Sequence, residues 1–195
     1  SAASTSTSSS KMTISPWTAI SAQNIAIGVF DQPLGGWQVQ VEGEPISVNN
    51  IKFNLILGEN LGGTIGLDIN DVNYSKLVDE NGKVLAGPVD AVGSGLSGTA
   101  LTFVDEIVFP IGVTNIKLVG RMAAGTAAFE SNDTAQVVTK PSSQWTSVTG
   151  TLTGVSITPS PDSAVSGPIM TVKDAASVTS VKVTPTNPTA SFLEI

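Results

Sequence analysis

The chain has 195 residues, a net charge of −7, and neither cysteine nor histidine. This excludes a disulfide framework, a thiolate metal site, and any Ser-His or Cys-His catalytic pair. The acidic balance argues against nucleic acid, which needs a basic stripe, and no run of about 20 apolar residues offers a membrane span.

Charged residues make up only 13% of the chain, against about 25% in ordinary soluble domains. Ser and Thr supply much of the polar surface instead. That composition suits a secreted β protein packed edge to edge with others, so the expected location is extracellular, at the cell surface. The opening Ser1-Ala-Ala-Ser4 reads equally as a processed mature end or as a cut in a longer chain.

In chain order, Ser1–Ser10 is almost all Ser and Thr and reads as a linker. Lys11–Ser15 alternates, with Met12 and Ile14 on one face, and stops at Pro16. Asn24–Phe30 places Ile25, Ile27 and Val29 on one face, and Pro33-Leu-Gly-Gly36 is expected to break it. Trp37, Val39 and Val41 alternate next. Ile46–Leu57 is a long strand whose inward set steps from even to odd positions at Asn49-Asn50, which predicts a bulge.

Thr64–Leu77 reads as another long strand region. Leu77–Leu85 is the clearest local signal, because two apolar arms flank Asn81-Gly82, a pair that readily takes positive φ in a hairpin. Leu101/Phe103, Ile107/Phe109 and Ile116/Leu118 follow as strand pairs. Ala123–Ala128 reads as loop or a single turn. Thr134–Thr139, Ser147–Ile157 and Met170–Lys173 are further strands, and Val178–Thr184 and Thr189–Ile195 are extended segments.

Many short strands with turn residues between them predict an all-β, antiparallel sandwich. The expected organisation is an extended tail over 1–15, a β-sandwich over 16–175, and an extended segment over 176–195. Thr13-Ile-Ser-Pro16, Ser156-Ile-Thr-Pro159 and Lys182-Val-Thr-Pro185 share a strand end of the form β-branched, hydroxyl, proline. The echo is either chance in a Val/Ser/Thr-rich chain or the mark of equivalent strands in successive domains.

Asn24–Phe30, Ile46–Phe53, Leu77–Leu85, Thr99–Phe103, Phe109–Leu118 and Gly167–Val172 follow one another in an order that resembles the immunoglobulin-like β-sandwich repeats of prokaryotic cell-surface and S-layer proteins. The resemblance covers about residues 12–175. It implies an immunoglobulin-like fold and a scaffolding role, and it names no catalytic residue.

Several clusters invite a chemical reading. Asp68, Asn70 and Asp71 gather oxygen ligands of the kind Ca²⁺ takes, but their spacing does not match an EF-hand loop, and a solvated turn is favoured. Asp105-Glu106 is a weaker cation candidate. Glu42 and Glu44 form a carboxylate pair, but flank Gly43 and precede Pro45, as in a turn. Trp17, Trp37, Trp145 and Tyr74 could form a sugar platform, with packing in the core or at a subunit interface the favoured role for the tryptophans. Two glycosylation acceptor patterns, at Asn73 and Asn132, are about what chance supplies. No enzymatic activity and no obligatory cofactor are expected.

The extended ends carry the functional expectation. An unpaired sheet edge can accept a strand from a neighbour, and copies joined tail to body form an open polymer. The expected function is a structural subunit of an extracellular filament or surface layer, a homopolymer assembled by strand donation. Met12 and Ile14 of the first tail, or Phe192, Leu193 and Ile195 of the last segment, would be the plugs. The alternative is a cell-surface adhesin or carbohydrate-binding module that takes glycans.

Overall fold

Trp37 and Phe53 meet at the centre of the molecule, their ring centroids 4.7 Å apart, and the two sheets that carry them face each other across this contact. The computed structural model describes residues 9–60, 67–125 and 128–175. The fold is an all-β sandwich of two predominantly antiparallel sheets.

The first sheet contains β1 (Lys11–Pro16), β3 (Gln32–Glu42), β5 (Val72–Asp79), β6 (Val84–Val89) and β9 (Gly112–Met122), in the order β1-β3-β9-β5-β6. The second has the order β11-β4-β10-β12-β2, built from β2 (Asn24–Ala26), β4 (Ile46–Gly58), β10 (Thr134–Thr139), β11 (Trp145–Gly150) and β12 (Val165–Lys173). The 13-residue β4 is long enough to take partners at two levels. On one side it pairs with β11 and β10, and on the other with β7 (Ser97–Phe103) and β8 (Ile107–Phe109). The pair β2–β12 is parallel.

Alternation explains most of the burial. Trp37, Val39 and Val41 of β3 point inward, as do Ile116 and Leu118 of β9. Phe53 continues the aromatic contact to Phe103, and Phe109 packs on Trp145. Buried indole N–H groups need acceptors. Trp37 Nε1 donates to the Val165 carbonyl, and Trp145 Nε1 to Thr139 Oγ1.

Four strand expectations need correction. First, β3 starts at Gln32 and runs through Pro33-Leu-Gly-Gly36, with a register shift between Pro33 and Gly35. The glycines do not end the strand; they admit close neighbours. A Cβ on Gly35 would lie 2.7 Å from the Trp37 ring, and one on Gly36 would lie 2.6 Å from Ile20 Cγ1. Second, the strand expected over Asn24–Phe30 stops at Ala26.

Third, Ile69–Asp71 forms a short 3-10 turn, so within the described part of the expected Thr64–Leu77 strand only Val72–Leu77 is strand. Fourth, the strand expected over Ser147–Ile157 ends at Gly150, followed by a turn. The parity step in β4 is present, since Ile46 and Val48 are buried below it and Ile51, Phe53 and Leu55 above it. Its register with β11 does not shift, however. Ser147, beside this level, takes φ 53°, and Asn49 and Ser147 drop out of the ladder.

The first tail is also corrected. Lys11–Pro16 is an integral strand: it pairs antiparallel with β3 of its own chain, from Lys11 opposite Glu42 to Pro16 opposite Trp37. Met12 and Ile14 are fully buried in their own core. The expected boundary at residue 15 therefore falls inside the sandwich. The physical reason is the alternating pair itself, which finds a complementary inward face on β3.

Candidate functional site

Two regions bring polar and apolar groups together in ways the core does not require. The first lies at the end of the sandwich where β1 begins and β3 ends. The turn Gly43-Glu44-Pro45 joins β3 to β4, and Gly43 takes φ +87°. Positive φ suits glycine, and here the missing side chain also admits Ser10, whose Cα would lie 3.0 Å from a Cβ on Gly43.

Glu44 points into the fold and is 4% exposed. Its carboxylate accepts from Ser10 Oγ at 2.8 Å, Thr153 Oγ1 at 2.6 Å, and the backbone N–H groups of Leu152 and Thr153 at 2.7 and 2.9 Å. Gly150 makes room: a Cβ there would lie 2.2 Å from Glu44 Oε1. The Thr153 hydroxyl, aided by Ser10 and the two backbone donors, lowers the Glu44 pKa to about 2 despite the opposing desolvation. Hydrogen bonds to the charged form produce this direction of shift. One ionised side chain therefore fastens the start of β1, the β3–β4 turn, and the turn after β11.

Beside this clamp opens a groove of about 520 Å³, lined by Ser9–Lys11 and Glu44 on one side and Thr153 and Val155–Thr158 on the other. Its origin is a splayed pair. Further along β1, Ile14 N–H donates to the Ser160 carbonyl at 2.8 Å, and Ser160 N–H donates to the Met12 carbonyl at 2.9 Å. Ser160 thus covers the outer edge of β1 at that level. Toward Ser10 the two segments part. Val155 and Ile157 use their backbone groups on β11, where Gly150 N–H donates to Val155 O and Ile157 N–H to Val148 O. By strand alternation, the backbone groups of Ser156 and Thr158 face the groove. Val155 stands exposed at its rim, and Leu152, next to the lining residue Thr153, is exposed as well.

The second region is on the outer face of the first sheet. Phe30 and Tyr74 are about half exposed and meet edge to face with centroids 5.0 Å apart. The Arg121 guanidinium lies 4.9 Å from the Phe30 centroid, and its Nε donates to the Gly28 carbonyl. Asp31 and Lys76 form an ion pair at 2.6 Å. Asp31 and Tyr74 adopt φ of 59° and 52°, a region uncommon for side-chain-bearing residues.

The carboxylates weighed as cation ligands hold backbone and hydroxyl groups of their own chain. Asp71 Oδ2 accepts the Asp68 N–H at 2.8 Å, and Asp68 Oδ1 accepts the Gly95 N–H. Both brace the 3-10 turn, and Asn70 is exposed. Among the described residues, no three Asp or Glu side chains converge as a metal site would need. Asp105 accepts the Gly87 N–H, and Glu106 accepts the Ser47 hydroxyl. Glu42 and Glu44 do not act as a pair, because Glu44 is turned inward and Glu42 is exposed on β3.

Of the aromatic set, Trp37 and Trp145 are core residues, and Trp17 packs over Gly36. Tyr74 is exposed, and its partner Phe30 was not singled out by the sequence. Asn132 Oδ1 accepts from Lys173 Nζ. Phe192, Leu193 and Ile195 lie outside the described residues. No helix among the described residues is long and apolar enough to cross a membrane.

Comparison with protein families and with curated proteins finds no match to this chain.

Proposed function

We propose that this chain is a structural subunit of an extracellular filament or surface layer, an immunoglobulin-like module whose copies join end to end by strand addition. One observation carries the reading. The described chain begins β1 beside Glu42, at one end of the 11-residue strand β3. It leaves β12 at Lys173, whose carbonyl accepts the Ile27 N–H near the other end of β3. The two crossing points are thus separated by roughly 33 Å, the length of β3. A module entered at one pole and left at the other links naturally in series.

The groove beside Ser10 supplies an acceptor at the Glu42 pole. The segment that continues past Lys173 leaves from the opposite pole and carries Val181, Val183, Phe192, Leu193 and Ile195. An extended apolar segment laid along Ser156 and Thr158 would gain main-chain hydrogen bonds and bury Val155 and Leu152. Donation by Met12 and Ile14 is not part of the proposal, since their burial completes their own sandwich.

The use of carboxylates also favours a structural role over an enzymatic one. Glu44, Asp68, Asp71, Asp79, Asp90, Asp105 and Asp133 all accept backbone N–H groups. They hold loops in place. Negative-stain electron microscopy of the purified chain tests the proposal. Rods or sheets with a repeat matching one sandwich are expected, and a field of isolated single particles at high protein concentration overturns it.

A further inference from the structure

We infer that the outer face of the first sheet binds an acidic saccharide, which stacks on Phe30 and Tyr74 and sets its carboxylates against Arg121 and Lys117. This goes beyond the structural role and does not depend on assembly.

The argument begins with charge. The chain as a whole is strongly acidic, yet Lys76, Lys117 and Arg121 share one face of two paired strands. Asp31 neutralises Lys76. Among the described residues, neither Lys117 nor Arg121 has a carboxylate partner. Arg121 uses Nε on a backbone carbonyl, which orients the guanidinium and leaves its terminal amino groups as a fork for a planar anion.

Shape gives the second part. A groove of about 220 Å³ runs over this face, with Val78, Val84 and Val119 as floor and Asp31, Lys76 and Lys117 as walls. It lies on β5, which carries Tyr74, and reaches Asp31, the neighbour of Phe30 in the turn before β3. Along β9, Lys117 and Arg121 are four residues apart on one face, roughly 13 Å by strand rise, so the site fits a short oligosaccharide. The apolar C–H face of a sugar ring matches the exposed rings of Phe30 and Tyr74 and the exposed side chain of Val84. Its hydroxyls match the amide row of Gln38 and Asn115 beside the groove, where Gln38 Nε2 donates to Asn115 Oδ1 and Asn115 Nδ2 to Glu80.

Backbone geometry gives the third. Asp31 and Tyr74, the residues that flank or form the aromatic pair, both hold left-handed φ. Such conformations are uncommon for residues with side chains, Tyr above all, and concentrate at functional positions. Tyr74 is held there by Asp90, which accepts its N–H at 2.8 Å. Nothing in the core requires Tyr74 or Phe30, since both project outward.

Isothermal titration calorimetry of the full chain with oligogalacturonate tests the inference, against a neutral oligogalactoside of equal length and against polyglutamate. Acid saccharide is expected to bind, with both controls weaker by on the order of tenfold or more, since either stacking or charge is then missing. Tyr74→Asn, which tolerates the left-handed backbone, and Lys117→Gln are each expected to weaken binding about tenfold while leaving the melting temperature close to that of the parent chain. Three results overturn the inference: no binding of acid saccharide at millimolar concentration, equal binding of polyglutamate, or unchanged affinity in both variants.

Discussion

Ser10 and Glu44, 34 positions apart in sequence, are joined by a 2.8 Å hydrogen bond from hydroxyl to carboxylate. The bond ties the approach to the first strand to the turn between β3 and β4, next to the groove at that pole. Because the same carboxylate also holds Leu152 and Thr153, the whole pole depends on one buried glutamate and on the space left by Gly150.

Glu44→Ala should therefore destabilise the chain, leaving the Leu152 and Thr153 N–H groups without their acceptor. Gly150→Ala should act through the same site, because its Cβ would occupy the carboxylate's place. The two changes are expected to be strongly non-additive in a double-mutant cycle read by urea denaturation. Additive effects would mean that the clamp is not a unit.

The acid response of the clamp has a fixed sign. Glu44 titrates at its ordinary 4.5 in the unfolded chain and at about 2 in the fold. Its contribution is therefore complete above about 4.5 and is lost as the pH falls toward and through 2. Melting temperatures of the parent and of Glu44→Gln should differ most at neutral pH and converge as the pH approaches 2. A difference that grows on acidification would contradict this.

β1 should behave as part of its own domain. Met12→Ala is expected to cost about 2–5 kcal/mol, as for other large-to-small changes in a core, and removal of residues 1–16 should give an unfolded or molten chain by near-ultraviolet circular dichroism. With no native cysteine present, Lys11→Cys and Glu42→Cys can be joined by a short thiol cross-linker. Their opposite placement in the β1–β3 register predicts a cross-link within one molecule, seen as a monomer band under denaturing conditions.

Phe53 sits between Trp37 and Phe103. Phe53→Ala should cost about 3–5 kcal/mol, enough to approach the stability of a typical domain. Urea denaturation monitored by tryptophan fluorescence checks this, and a midpoint within experimental error of the parent would contradict the placement of the core.

The local pattern made much of the fold legible. Met12/Ile14, Trp37/Val39/Val41 and Phe53/Leu55/Leu57 announce their buried faces by period-two alternation. The hairpin at Asn81-Gly82 is announced by residues that accept positive φ, and Gly82 indeed takes φ +86°. What alternation could not reveal was long-range. Gly35 and Gly36 read as a break because the Trp37 ring and Ile20 that require them fold back only in three dimensions. Glu44 read as a turn residue because its partners lie at Ser10 and Leu152–Thr153, far away in sequence. The platform is half legible: Tyr74 is a sugar-platform candidate in the sequence, but Arg121 joins it only through the pairing of β5 with β9, and Phe30 only through the pairing of β3 with β9. The favoured packing role of the tryptophans holds for Trp37 and Trp145, whose burial follows from their positions on inward faces.

The most direct test of end-to-end assembly places a benzophenone on a single cysteine introduced at Val155, at the rim of the groove. The labelled chain is prepared as a mixture of ordinary and ¹⁵N-enriched protein, irradiated, digested and read by mass spectrometry. End-to-end strand addition predicts mixed-isotope peptides that join position 155 of one molecule to residues 178–195 of another. Cross-links confined to single-isotope pairs, or the absence of covalent multimers, would contradict it.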